Sequence, residues 1–153
     1  MSLRSKIEDQ YINAIKLKNL EEANTLRLIK SSIKDKEIEN RASKSTNEIN
    51  DQQILILLQN LIKQRNDSIE SFKAASRDDL IKKEQFEINL ISQFLPKQLN
   101  EKETENIIKK IISEKNLLSL KDMGTLMGDI KNNHSGAIDM SLAGKIAKSL
   151  LNH

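Results

Sequence analysis

An all-α fold is what this sequence predicts, and three observations carry the expectation. Apolar residues recur at i, i+3 and i+4 along most of the 153 residues, and no stretch of strand length alternates apolar with polar. Leu and Ile supply most of the apolar mass, with only four aromatics, Tyr11, Phe72, Phe86 and Phe94. Proline occurs once, at Pro96, and every glycine lies beyond Met123, so the residues that break helices are confined to two places. The expected organisation is a four-helix N-terminal domain over residues 1–95 followed by a three-helix C-terminal domain over 96–153.

The first helix is expected over residues 3–17, where Leu3, Ile7, Tyr11, Ile15 and Leu17 form a ladder spaced mostly by four. Asn19, with Glu22 three residues on, is the signature of a helix start. Ala23, Leu26, Ile29 and Ile33 then continue at helical spacing to about Arg41. Ser43–Asn50 reads as a polar loop. A long third helix from Asp51 carries Ile54, Leu58, Leu61, Ile62, Ile69 and Phe72 and ends near Ser76. Arg77-Asp78-Asp79 opens a fourth, whose stripe is Phe86, Leu90, Ile91, Phe94 and Leu95, and Pro96 stops it. Three shorter helices follow, started by Asn100 with Glu103, by Ser119 with Asp122 and by Asp139. The last, Met140–Leu151, carries Leu142, Ala143, Ile146, Ala147 and Leu150.

Composition excludes several classes of function. The longest aliphatic run, Ile54–Leu58, is far too short for a membrane span, and the N-terminus lacks the apolar core of a secretion signal, so a cytoplasmic location without membrane contact is expected. The absence of cysteine removes disulfides, thiolate metal sites and thiol nucleophiles, and two histidines are too few for a zinc site. Neither a Gly-x-Ser-x-Gly elbow nor a Gly-x-x-x-x-Gly-Lys-Ser/Thr phosphate loop is present. No catalytic residue, metal or cofactor is therefore assigned. A net charge of +3 permits nucleic-acid contact without marking a dedicated binder.

Two basic faces stand out. In the sixth helix Lys121, Gly124, Gly128 and Lys131 fall within about 80° of one another, so that two cations flank two positions without side chains. A phosphate–ribose backbone fits closely against such a strip. The structural reading, which is the favoured one, is that these glycines let Ala143 and Ala147 of the last helix pack closely. His134 sits in the final turn, where it complements the helix dipole or reaches a ligand, and Gly136 is expected to be the left-handed residue just past the helix. Gly144, Lys145 and Lys148 form a second basic surface on the last helix. In the N-terminal half, Arg27, Lys30, Lys34 and Arg41 make a stripe roughly 20 Å long, diluted by Asp35, Glu37 and Glu39. Asp129, beside Gly128, is expected to oppose phosphate there.

The blocks Leu26-Arg27-Leu28-Ile29-Lys30-Ser31-Ser32-Ile33-Lys34, Arg65–Phe72, Phe94-Leu95-Pro96-Lys97-Gln98-Leu99 and Met123-Gly124-Thr125-Leu126-Met127-Gly128 resemble the GatB/YqeY family over nearly the whole chain. The resemblance implies the same four-plus-three helix arrangement. It also implies kinship with the C-terminal tail of the amidotransferase B subunit, which contacts tRNA while glutaminase and kinase chemistry reside in other domains. Gly124, Gly128, Gly136 and Asp139 match the tail's motif. A label of carbon–nitrogen ligase activity with glutamine as amido donor would reach this chain by association alone. The resemblance thus implies a non-catalytic module that binds tRNA, an amidotransferase or another translation component. The alternative is a protein-interaction scaffold without RNA binding, its partner seated on an apolar groove.

Overall fold

The computed structural model describes residues 2–42 and 48–152. Among them are seven α-helices and no strand: α1 (Leu3–Lys16), α2 (Leu20–Ala42), α3 (Asp51–Ala74), α4 (Asp78–Ser92), α5 (Glu101–Lys115), α6 (Met123–Asn133) and α7 (Met140–Leu151). One 3-10 turn, Leu120–Asp122, precedes α6. The chain divides into two compact units, Met1–Leu95 and Pro96–His153. Of the polar loop expected at Ser43–Asn50, residues 43–47 lie outside the described residues.

The first unit is built from two helix hairpins. Lys18 takes a left-handed φ of 58° between α1 and α2, and Ser76 one of 55° between α3 and α4. Leu26, Ile29, Ile54, Leu58 and Ile91 are wholly buried at the centre, each such side chain contributing about 1.5–3 kcal/mol of burial free energy. Asn19 opens α2 as read from sequence, its Oδ1 accepting the Glu22 N–H at 3.2 Å. The ladder of α1 needs correction: Ile15 and Leu17 are exposed, and Ala14 is buried with Leu3 and Ile7. Ala14 stands two full turns from Ile7 and so returns to its line, whereas Ile15 is carried a further ~100° away. Ile49, read as loop, is also buried, its N–H donating to Glu37 Oε2 at 3.1 Å. In α3 the buried set includes a charge, Arg65, whose Nε donates to Glu87 of α4 at 2.8 Å and whose Nη1 donates to the Leu61 carbonyl.

The second unit packs α5, α6 and α7 around Ile108, Leu126, Ile130, Ile138, Ala143, Ala147 and Leu151. All three expected start signals are present. Asn100 with Glu103 and Ser119 with Asp122 form complete capping boxes, and Asp139 Oδ1 accepts the Ser141 N–H at 2.9 Å. The Ser119 box opens the 3-10 turn rather than α6 itself, which places Lys121 in that turn. Leu142, Ile146 and Leu150 of α7 are half-buried, while Leu151 is buried.

Candidate functional site

The exposed side of α6 follows from its sequence. Leu126 and Ile130 are buried, Met123 and Met127 border them, and Gly124 and Gly128 occupy positions away from that face. A Cβ built at either glycine meets no atom within 4 Å. Neither has a positive φ. Packing against Ala143 and Ala147 therefore gives no reason for glycine at these two positions. Each costs the helix roughly 0.5–1 kcal/mol relative to alanine, and no contact within the unit offsets it.

Charge is arranged around this bare strip. Lys121 is exposed in the 3-10 turn before it and Lys131 is exposed one turn beyond Gly128. Asp129 is turned into a network of its own: its carboxylate lies 2.7 Å from Lys115 Nζ of α5 and accepts the Asn133 amide at 2.8 Å. The Lys115 ammonium foremost, and then the Asn133 amide, hold this carboxyl below its usual range. Asp129 thus does not stand as an uncompensated anion beside Gly128, the expectation that opposed phosphate binding there. Lys115 was not singled out from sequence, because a partner fourteen positions away on another helix leaves no periodic trace. Asp122 is also held below the usual range, by the Leu118 and then the Ser119 backbone N–H groups it accepts from, and so anchors the turn that carries Lys121.

The remaining residues of the unit divide. His134 is the half-buried C-cap of α6, its N–H donating to the Ile130 carbonyl at 2.9 Å. Gly136 is left-handed as expected, with φ of 81°, but it is not the residue just past the helix cap. It is the third residue of a turn closed by the Ala137 N–H on the His134 carbonyl, where type II geometry demands positive φ. That turn is tied down by Gln98 Nε2 on the Gly136 carbonyl and by the Leu99 N–H on the Ala137 carbonyl. Gly144 stands on the α6 side of α7, a Cβ there lying 4.0 Å from Met127 Cε, and Lys148 follows it one turn on. Lys145 lines a cavity with Glu101 and Glu105 of α5 instead, so the surface read as Gly144, Lys145 and Lys148 is split between two sides of the helix.

In the first unit the stripe of α2 is partly committed. Arg27 donates to Tyr11 Oη at 3.1 Å and to Asn24 Oδ1 at 3.3 Å. Lys30 lies 2.8 Å from Glu8 of α1 and 4.2 Å from the centre of the Tyr11 ring. Lys34 and Arg41 are exposed and enter no ion pair among the described residues. No helix among the described residues is long and apolar enough to cross a membrane.

Comparison with known proteins places the chain in a family. Residues 4–151 match the family model described as Yqey-like protein. An uncharacterized protein of Schizosaccharomyces pombe is 34% identical over 95 residues, which cover 62% of this chain and 73% of that protein. With all but a few terminal residues matched, the chain belongs to the Yqey-like protein family.

Proposed function

We propose that this protein is a non-catalytic RNA-binding module, in which the face of α6 takes a tRNA phosphate backbone between Lys121 and Lys131. The observation that carries the reading is the pair of glycines, Gly124 and Gly128, held bare on a helix surface where no neighbour requires them. A surface without side chains lets a sugar–phosphate backbone approach to main-chain distance, and flanking lysines supply charge without reading bases. The resemblance of the Met123–Gly128 segment to the amidotransferase B tail favours tRNA as the nucleic acid in this reading, and the pairing of Asp129 with Lys115 leaves the strip electrostatically permissive. Lys148 extends the same side; Lys145, beside Glu101 and Glu105, contributes less.

The test is fluorescence anisotropy of labelled bulk tRNA between about 50 and 200 mM salt. Micromolar binding that weakens with salt is expected. The Lys121→Ala/Lys131→Ala variant should lower the slope of log K against log salt by about two, one for each phosphate that is no longer neutralised. Absence of binding at low salt would sink the proposal. It would also favour docking of a translation protein instead, a reading to which Leu118 and Leu120, 76% and 44% exposed just ahead of Lys121, lend an apolar anchor.

A further inference from the structure

Between α1 and α2 of the first unit lies an open cavity of about 470 Å³, within the range of small-ligand sites. Its floor is apolar, formed by Ile7 and Ile33, and its walls carry Arg4, Lys30, Lys34 and Arg41 with the carboxylates of Glu8 and Glu37. The acids are already engaged. Glu37, whose side chain is 14% exposed, lies 2.7 Å from Arg4 and also accepts the Ile49 N–H, while Glu8 is 2.8 Å from Lys30. Among the described residues lining it, four cations stand against two carboxylates, and the two positive charges in excess belong to Lys34 and Arg41. Lys30, Lys34 and Arg41 project within about 40° of one another along α2, so the excess charge lines one wall.

We infer that this cavity binds a phosphate monoester. At neutral pH such a group carries close to two negative charges and three acceptor oxygens, which matches the two uncommitted cations, whereas a phosphodiester carries one charge. The pairs Arg4–Glu37 and Lys30–Glu8 engage the other charged groups of the lining, which leaves Lys34 and Arg41 to reach the ligand from positions about two turns apart on α2, with Ile7 and Ile33 lining its apolar part. The monoester belongs to a free nucleotide or to the 5′ end of an RNA. The site lies on a different unit from the α6 strip and does not depend on it.

Titration calorimetry on the full chain tests this with AMP and adenosine, and with a short RNA oligonucleotide carrying either a 5′-phosphate or a 5′-hydroxyl. AMP should bind saturably and adenosine should not. Lys34→Ala/Arg41→Ala should weaken AMP at least tenfold with an unchanged melting temperature, whereas Lys63→Ala/Lys83→Ala, which removes the same charge outside the cavity, should leave AMP binding as it was. Among the sources, tighter binding of the 5′-phosphorylated RNA than of AMP assigns an RNA end, and equal or weaker binding assigns a free nucleotide; both outcomes keep the monoester. Equal binding of AMP and adenosine, no saturable AMP binding, or an unchanged affinity in the Lys34/Arg41 variant would overturn the inference. Because the α6 variant Lys121→Ala/Lys131→Ala leaves this cavity intact, failure here and failure of the tRNA reading are separable.

Discussion

Gly124 and Gly128 set stability and function against each other at single positions. Alanine fits at both, since the space around each is open and neither backbone angle is strained. Gly124→Ala/Gly128→Ala is therefore expected to raise stability by about 1–2 kcal/mol in urea denaturation, through restored helix propensity and a less disordered unfolded chain. The same variant should bind tRNA at least tenfold more weakly, because two methyl groups then stand where the backbone approaches. Gained stability with undiminished tRNA binding would show that the bare strip is not where RNA docks. Gly136 differs in kind: its φ of 81° and its burial in the turn below α6 require glycine for the fold itself.

Between elements, two charge pairs join helices and are tested by different means. Arg65 and Glu87 pin α3 to α4 with side chains only 11% and 16% exposed. Glu87→Ala should cost roughly 3 kcal/mol, because it strands the Arg65 guanidinium, while Arg65→Met/Glu87→Leu should come out near neutral, since an apolar pair avoids the desolvation penalty. Equal losses in the two variants, compared by urea midpoints, would assign the effect to packing rather than to the uncompensated charge. Lys115 and Asp129 pin α5 to α6. The folded state depresses the Asp129 proton affinity, so its contribution is present above the ordinary carboxylate value of about 4 and is lost as pH falls below it toward the depressed value. Asp129→Asn should accordingly melt below the parent near neutral pH and approach it as pH falls below the ordinary carboxylate range. A gap between the two melting curves that stays constant with pH would remove the pair from the account.

For the whole chain, the division into Met1–Leu95 and Pro96–His153 leads to a prediction about folding units. Each has its own cluster of buried side chains among the described residues. Fragments 1–95 and 96–153 are expected to fold separately and to melt cooperatively, as followed by circular dichroism, and trypsin is expected to cut first at Lys97, whose side chain is 84% exposed. An unfolded 96–153 fragment would show that its three helices need the first unit. The tRNA interaction is expected to stay with 96–153 and AMP binding with 1–95, which makes the two activities separable by fragment.

What was legible in the linear chain is whatever acts over three or four residues. Helix number and order, the start signals at Asn19, Asn100, Ser119 and Asp139, the stop at Pro96 and the grouping of Gly124, Gly128 and Lys131 on one face all follow from the 3.6-residue repeat and from side chains that bond their own backbone nearby. The choice of Ala14 over Ile15 for the core, the burial of Ile49, the engagement of Asp129 by Lys115 and of Glu37 by Arg4, and the emptiness around the two glycines were settled by packing. These depend on which helix lies opposite which, and that is a property of contacts between residues far apart in the chain, whose energies outweigh local preference and leave no periodic signal to read.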